Sequence, residues 1–189
     1  MEGHEMYVRF FSLGPAKSEF GIPCLHITDS SYVAHTEDIL YRHGYEQFIR
    51  EGKGNNFFRF VHSQGPTVEA GLGLQVSRDM EKRRIYIDLE DELVFSINTQ
   101  YGGNTLGMKK LAMRLAIQRA SREAWLTEHM FVMGVESPRS GRKYFTGAFP
   151  SMCGKTSTAM LPGETIIGDD IAFIRNIDGT ARAVNMEMG

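Results

Sequence analysis

The sequence predicts a mixed α/β fold, and three features of its hydropathy pattern support that prediction. Short runs of β-branched and aromatic residues, bounded by glycine, proline or asparagine, recur along the chain and indicate strands. Residues 108–123 instead repeat apolar side chains every three or four positions, as an amphipathic helix does. The two signals alternate without a regular βαβ order. We therefore expect 189 residues of mixed α/β structure, in one large domain or two small ones.

The composition is that of an ordinary globular protein, with 42% hydrophobic residues, 23% charged residues and a net charge of −2. The chain lacks the excess of basic residues that would indicate nucleic acid as a partner. It also has no apolar run that approaches the roughly 18 residues of a membrane span. The first six residues do not form a secretory signal. Cys24 and Cys153 lie far apart and outside any C-x-x-C pair, which fits a reducing compartment. We expect a cytoplasmic protein.

Three strands and one helix are predicted in the first third of the chain. Residues 6–13, 24–28 and 57–61 are apolar and end at turn-forming residues, so we expect strands there. Residues 32–49 space their apolar side chains as one helix would, and the polar residues 51–56 predict a loop.

A hairpin and a long helix are predicted in the middle third. Residues 67–82 carry two glycines and mixed charge and predict an exposed loop. Residues 84–89 and 93–97 alternate strictly and predict a hairpin. The clearest helix, residues 108–123, has one apolar face, formed by Met108, Leu111, Ala112, Leu115, Ala116 and Ala120.

The last third consists mainly of predicted strands. They are expected at residues 131–135, 143–149, 165–174 and 181–184, with a short helix at 157–160. The third of these strands is interrupted at Gly168-Asp169-Asp170.

The most informative stretch runs from Ala148 to Ser157. A strand, a tight turn, Gly-Lys-Thr and a short helix follow one another, which is the order that a phosphate-binding loop needs. Lys155 would reach the terminal phosphates, and Thr156 would place its hydroxyl on the Mg²⁺ that accompanies a nucleotide. Phe149 stands where the common G-x-x-x-x-G-K-[ST] pattern has its first glycine. An ordinary strand–turn–helix is therefore the alternative.

Two acidic residues, Asp169 and Asp170, form the second strong signal. Buried carboxylates are costly unless they are paired or bind a metal, and a carboxylate after a phosphate loop is where a nucleotide metal is held. The alternative is a bulge with two solvated aspartates. By pattern alone, His129 is more often a structural histidine and Lys110 a solvated helix lysine.

Six motifs, in the same order along essentially the whole chain, resemble the GTP-dependent phosphoenolpyruvate carboxykinases. In that family, proline and serine replace the first glycine of the nucleotide loop, as in Phe149-Pro150-Ser151-Met152-Cys153-Gly154-Lys155-Thr156. The other five motifs are Thr28-Asp29-Ser30-Ser31-Tyr32-Val33, His62-Ser63-Gln64-Gly65, Tyr101-Gly102-Gly103-Asn104, Trp125-Leu126-Thr127-Glu128-His129-Met130 and Gly168-Asp169-Asp170-Ile171-Ala172.

The resemblance implies a metal site. Residues that match Lys110, His129 and Asp170 bind Mn²⁺ in the family, and Asp169 would hold water molecules of the Mg²⁺ on GTP. An ammonium group cannot bind a cation, so Lys110 would have to lose its proton far below its usual pKa of about 10.4. Partial burial and the neighbouring dication would both favour that loss.

The resemblance also implies substrate and nucleotide contacts. Tyr101, Gly102, Gly103 and Ser151 would contact the three- or four-carbon substrate. Catalytic roles are implied for Ser151, Cys153 and Lys155. Cys153 is expected to be a reactive thiol rather than a covalent nucleophile, with an inert structural cysteine as the alternative. Contacts to GTP are implied for Met152, Cys153, Gly154, Lys155, Thr156 and Ser157, whereas residues 28–31 and 62–65 receive no chemical role.

The implied reaction converts oxaloacetate and GTP into phosphoenolpyruvate, GDP and CO₂, as in gluconeogenesis. Family members are much longer, so the chain is expected to be an internal fragment that is inactive alone. Residues 1–125 would end the substrate-binding domain, and residues 126–189 would begin the nucleotide and metal domain. A phosphotransferase with another acceptor and a non-catalytic nucleotide- or metal-binding module stay open as alternatives. The sequence sets neither base preference nor oligomeric state.

Overall fold

A computed structural model describes residues 1–51, 54–100, 105–150 and 152–188, and it has the predicted mixed α/β architecture. The first part contains β1 (Tyr7–Leu13), β2 (Ile22–Thr28), α1 (Ser31–Leu40), β3 (Arg42–His43), α2 (Tyr45–Glu51), β4 (Phe58–Ser63), β5 (Thr67–Ala70), β6 (Leu74–Ser77), β7 (Arg84–Asp88) and β8 (Leu93–Ile97). It is followed by α3 (Thr105–Glu123), β9 (Leu126–Glu128), β10 (Met130–Ser137), β11 (Gly141–Ala148), α4 (Lys155–Ala159), β12 (Thr165–Gly168), β13 (Ala172–Ile177) and β14 (Thr180–Asn185).

A six-stranded mixed sheet, in the order β3-β1-β2-β4-β8-β7, dominates the first part. Strands β2, β4 and β8 run parallel, whereas β1, β3 and β7 pair antiparallel to their neighbours. The C-terminal ends of β2, β4 and β8 consequently meet at one edge, where the Thr28 and His62 motifs begin. The predicted hairpin of β7 and β8 is confirmed.

One helix was expected over residues 32–49, and this prediction is wrong. Helix α1 starts after the cap Ser30 and ends at Leu40, because the two residues of β3 pair with β1. At Gly44 the chain passes so close to β1 that an added Cβ would lie 2.4 Å from the carbonyl of Phe11. Sheet pairing therefore overrides the helical period at this point, and α2 begins afterwards.

The prediction of an exposed loop over residues 67–82 is also wrong in part. Strands β5 and β6 form an antiparallel hairpin there, followed by a 3₁₀ turn at Met80–Lys82. The glycines that suggested a loop occupy the hairpin turn, where Leu72 and Gly73 have φ of +66° and +75°. Left-handed residues are what a tight hairpin turn requires.

Helix α3 joins the two parts of the chain through the main hydrophobic core. Its predicted apolar face is buried, and the same cluster contains Phe58, Phe60 and Val94 from the large sheet. Trp125, Phe173 and other residues of the second part belong to that cluster as well. Since one core draws on both sides of residue 125, the division into two domains remains a prediction.

The second part contains two three-stranded sheets, in the orders β11-β10-β12 and β14-β13-β9. Strand β11, which leads into the nucleotide loop, pairs with β10 along one edge, and its aromatic residues Tyr144 and Phe145 are exposed. A small separate core of Phe131, Met133 and Ala159 lies beneath α4. Within the described ranges, no helix is both long and apolar enough to cross a membrane.

Candidate active site

Asp170 lies at the centre of the candidate site, in the turn between β12 and β13. This turn can reach α3 because Gly168 has no side chain. A Cβ there would lie 2.4 Å from the side-chain carbon of Asn185 on β14. Ile171, the next residue after Asp170, is buried in the main core and fixes the other end of the turn.

Four basic side chains contact the carboxylate of Asp170. Lys109 and Lys110 approach Oδ2 with their Nζ atoms, at 2.7 and 2.8 Å. His129 Nε2 and Lys155 Nζ both contact Oδ1, and Lys155 also donates to the Asp170 carbonyl at 3.0 Å. Two helices and one bend thus supply basic side chains to a single carboxylate: α3, α4 and the bend between β9 and β10.

The three metal ligands implied by the resemblance converge. Lys110 Nζ lies 2.9 Å from His129 Nε2 and 2.8 Å from Asp170 Oδ2, and His129 contacts the other carboxylate oxygen. Adjacent ligands of an octahedral ion with bonds of about 2.1 Å are separated by about 3 Å, so this donor spacing fits a divalent cation. Among the described residues, no three His, Cys, Asp or Glu side chains form a metal cluster.

Lys109 was not predicted from the sequence, although it is the more buried lysine of the pair. Its Nζ bridges Asp170 and Glu187, with a distance of 2.8 Å to Glu187 Oε2. Desolvation would lower its pKa, but hydrogen bonds to the two carboxylates prevail and raise it. Lys109 is therefore a fixed ammonium group that holds Asp170 in place. Glu187 lies after the last strand and gave no sequence signal.

Opposing effects act on the pKa values of Asp170 and Lys155. Burial would raise the pKa of Asp170, but hydrogen bonds from Lys109, Lys110 and Lys155 outweigh it and hold the pKa far below its usual range. For Lys155 desolvation dominates, and the pKa of its ammonium group is lowered despite the contact with Asp170. The carboxylate is thus ionised at any physiological pH.

The nucleotide loop has the backbone of a tight turn before a helix. Gly154, the residue before α4, has φ of +90°, and Met152 has φ of +63°. Cys153 donates its N–H to the carbonyl of Pro150 at 3.2 Å, and its side chain is exposed. Thr156 donates its hydroxyl to Asp169 Oδ2 at 3.2 Å, which links the two motifs expected to share a nucleotide metal.

Some predicted residues do not lie within the described ranges. Tyr101, Gly102 and Gly103, the implied substrate contacts, lie outside the described residues, and so does Ser151. Met152, Gly154 and Ser157 are described, and their side chains or backbone are exposed at the mouth of the loop. The structure thus brings Lys155, Thr156 and Asp169 close to the Lys110, His129 and Asp170 group.

The two motifs without an assigned role bind each other. His62 Nδ1 lies 2.7 Å from the Thr28 hydroxyl, and His62 Nε2 lies 2.6 Å from the carbonyl of Thr99. Asp29 accepts the backbone N–H of Gln64 at 2.8 Å. Because a carbonyl only accepts, His62 carries its proton on Nε2. These bonds tie the ends of β2 and β4 to the residues that follow β8.

Comparison with known proteins gives one consistent family. Residues 1–121 match the family model of the phosphoenolpyruvate carboxykinase N-terminal domain, and residues 125–189 match that of the phosphoenolpyruvate carboxykinase C-terminal P-loop domain. The chain is 61% identical to phosphoenolpyruvate carboxykinase [GTP] of Pyrococcus abyssi and 59% identical to that of Thermococcus kodakarensis. Both alignments cover all of this chain, which spans 30% of the length of these relatives.

Proposed function

The chain belongs to the phosphoenolpyruvate carboxykinase family, and on that premise we propose that it supplies the metal and phosphate part of a GTP-dependent carboxykinase. The complete enzyme would convert oxaloacetate and GTP into phosphoenolpyruvate, GDP and CO₂, a reaction of gluconeogenesis. Loss of CO₂ leaves an enolate, whose oxygen attacks the γ-phosphoryl group of GTP while GDP departs. A cytoplasmic location is part of the proposal, on the basis of the two separate cysteines.

One observation carries the proposal: a single carboxylate, Asp170, is shared between the ligand set and the lysine of the phosphate loop. Lys110 contacts its Oδ2, and His129 and Lys155 both contact its Oδ1. A reaction that couples decarboxylation to phosphoryl transfer needs a Lewis acid and a phosphate-binding cation within reach of each other. With a divalent cation bound to the proposed ligands, this arrangement would hold both.

Lys110, His129 and Asp170 are the proposed ligands of Mn²⁺. A divalent cation held there would act as a Lewis acid that draws electron density from the substrate oxygen. His129 would bind through Nε2, the atom that faces both other donors. Lys110 would bind as the neutral amine, since an ammonium group has no lone pair. Lys109 stays protonated between Asp170 and Glu187 and holds the carboxylate in place.

Lys155 is proposed to exchange partners when the nucleotide binds. Its Nζ contacts Asp170 in the free chain, and the phosphates of GTP would offer it several negative oxygens instead. Its lowered pKa reflects desolvation, and transfer to a more strongly charged partner would favour the ammonium form. Thr156 and Asp169, which contact each other, would take the Mg²⁺ that accompanies GTP.

Substrate contacts by Tyr101, Gly102, Gly103 and Ser151, and a reactive thiol at Cys153, are further parts of the proposal that rest on the resemblance. Backbone N–H groups of residues 152–157 would surround the phosphates, as loops of this kind do. We also propose that the 189-residue chain is inactive alone, because it spans 30% of the relatives' length.

Calorimetric titration with Mn²⁺ tests the proposed metal site without requiring turnover. We expect the 189-residue chain to bind Mn²⁺ in the micromolar range, and His129→Ala and Asp170→Ala to abolish that binding. His35→Ala is the matched control, because His35 is exposed on α1 and takes part in none of the contacts described around Asp170. Equal affinity in the wild-type chain and both site variants would contradict the proposed ligand set.

A further inference from the structure

Three buried polar atoms lie without partners between α1 and the segment that follows β14. Glu37 lies in the last turns of α1, Tyr41 directly follows that helix, and Glu187 follows β14; each is at most 6% exposed. Glu37 Oε2, Tyr41 Oη and Glu187 Oε1 have no hydrogen-bond partner in the part of the chain that the structure describes. Burial of a polar atom without a partner is costly and rare, so these three atoms call for a missing partner.

Backbone contacts place Glu187 alongside Tyr41. The residue after Glu187 donates its N–H to the carbonyl of Leu40 at 2.8 Å. The residue before Glu187 accepts from Arg42 Nη1 at 3.2 Å through its carbonyl. The segment thus contacts the residues on both sides of Tyr41. On α1, Tyr41 donates its own N–H to the carbonyl of Glu37 at 2.9 Å, so these two side chains are one helical turn apart.

The charges of both carboxylates act on the Tyr41 hydroxyl. Burial raises the pKa of this hydroxyl well above its usual range, and the carboxylates of Glu187 and Glu37 raise it further. Nearby negative charge has this effect because it disfavours the phenolate. Tyr41 therefore keeps its proton and remains a hydrogen-bond donor, close to two carboxylates but not directly bonded to either.

The number of donors is too small for the number of acceptors. Glu37 uses Oε1 to contact His26 Nδ1, and Glu187 uses Oε2 to accept from Lys109 Nζ at 2.8 Å. The second oxygen of each carboxylate has no donor. Tyr41 has a single O–H and can satisfy only one of them. A water molecule removes both deficits, because it can accept from Tyr41 and donate to both carboxylates, and buried waters typically make about three hydrogen bonds.

This water would connect α1 to the candidate site. Lys109 contacts both Glu187 and Asp170, so the orientation of the Glu187 carboxylate affects where the ammonium group lies. The terminal torsion of a glutamate is broad, and a carboxylate held through one oxygen can therefore rotate. A water on Oε1 would fix Glu187 at both oxygens. Tyr41 would then act on Asp170 through the water, Glu187 and Lys109, without touching it.

We propose that Glu37, Tyr41 and Glu187 bind a buried water molecule, and that Tyr41 is thereby a positioning residue for Asp170. The three polar atoms are enclosed by this chain itself, so segments found only in the longer relatives do not supply the partner. The water site is independent of the proposed function. Its effect on Mn²⁺ binding rests on that function.

Crystal structures of the 189-residue chain and of Tyr41→Phe, at a resolution that shows ordered water, test the site itself. In the wild-type chain we expect one water within hydrogen-bond distance of all three atoms. An empty site, a metal ion in its place, or a direct bond from Tyr41 to a carboxylate without a water would overturn the proposal.

The Tyr41→Phe crystal structure tests positioning without any metal. This substitution keeps the ring that stacks on Phe11 and removes only the hydroxyl. We expect the Glu187 carboxylate to adopt a new or a second orientation, with a longer contact to Lys109. A Glu187 carboxylate that is as well ordered as in the wild-type chain, in the same orientation, would overturn the positioning role.

Calorimetric titration with Mn²⁺ measures the effect on the proposed metal site. We expect Tyr41→Phe to bind Mn²⁺ about three- to tenfold more weakly, which is less than the 10- to 100-fold effect of a direct outer-shell partner. Tyr45→Phe is the matched control, because Tyr45 is exposed on α2. In a Glu187→Met background, Tyr41→Phe should have no further effect on Mn²⁺ affinity, since the connection to Lys109 is already broken.

Two results of the titration would overturn the positioning role. The first is a Tyr41→Phe variant that loses stability in urea but keeps wild-type Mn²⁺ affinity, because Tyr41 would then be structural only. The second is equal weakening by Tyr41→Phe with and without Glu187→Met, because the effect would not pass through Glu187. A wild-type chain that binds no Mn²⁺ would contradict the proposed function instead, and the two crystal structures would still decide the water site and the positioning role.

Discussion

The chain contains two groups of polar side chains, one around His62 and one around Asp170, and their charge balance differs. His62 is almost fully buried, and both ring nitrogens have neutral partners, Thr28 and the Thr99 carbonyl. Asp170 is partly exposed and receives contacts from three lysines and His129. The first group is satisfied within the protein, whereas the second sets three lysines against the two carboxylates of Asp170 and Glu187.

We propose that this difference separates a structural group from a functional one. A buried, neutral and fully hydrogen-bonded network rigidifies the fold. An accessible cluster with unbalanced charge is suited to bind an external ion. In the proposal, Lys155 binds the oxygens of a phosphate group, and a cation replaces the proton on Lys110. Histidine as a residue type does not distinguish the two sites, since His62 and His129 have opposite surroundings.

The largest expected effect is that of Asp170→Asn on Mn²⁺ affinity. Removal of the negative charge should weaken Mn²⁺ binding by about 100-fold or more, since loss of even an outer-shell partner costs about 10- to 100-fold. Titration calorimetry measures the change. Asp178→Asn is the control, because Asp178 occupies an exposed left-handed turn position that asparagine tolerates. Retention of wild-type Mn²⁺ affinity in Asp170→Asn would contradict the proposal that the Asp170 group binds a metal.

The second-largest expected effect is on stability and concerns the group around His62. His62→Leu should lower the free energy of unfolding by about 2–3 kcal/mol, because the Thr99 carbonyl and the Thr28 hydroxyl lose a buried partner. Urea denaturation measures it, with exposed His35→Leu as the control. Mn²⁺ affinity should be unchanged. A stable His62→Leu variant that no longer binds Mn²⁺ would show that the two groups are not separate.

Lys155→Met should selectively weaken phosphate binding. With inorganic pyrophosphate and Mg²⁺ as the probe, we expect about tenfold weaker binding or more, because a charge-assisted hydrogen bond contributes about 1.5–3 kcal/mol. Titration calorimetry again gives the affinity, and Lys17→Met provides an exposed control. Pyrophosphate binding that is indifferent to Lys155→Met would contradict its assignment to the phosphates.

The smallest expected effect is a pH dependence of the free energy of unfolding that arises from the protonation of His62. Burial lowers its pKa below the usual 6.5, so the unfolded state takes up a proton that the folded state resists. Stability should therefore fall as the pH drops from about 6.5 towards the folded-state pKa, by at most about 1.4 kcal/mol per pH unit. Denaturation at a series of pH values should show that the free energy of unfolding changes less steeply with pH in His62→Leu than in the wild-type chain. An equal slope in both proteins would exclude His62 as its source.

Local sequence was sufficient for most strands and for α3, since hydropathy periods of two and about 3.6 reflect the local conformation. It failed where distant pairing intervened. Residues 32–49 have a helical period, but β3 pairs with β1 and divides the segment into two helices. The β5–β6 hairpin was missed because its turn glycines resembled a loop.

The sequence by itself determined most of the element types, the phosphate-loop motif and, through six motifs, the family. The tertiary structure decided which charges share Asp170. Lys110, His129 and Asp170 are separated by 19 and 41 positions along the chain, so their convergence depends on how α3 packs against β9 and β13. Apart from the family motifs, residue type could not distinguish Lys109 from Lys110, or His62 from His129, because burial and partners arise from that long-range packing.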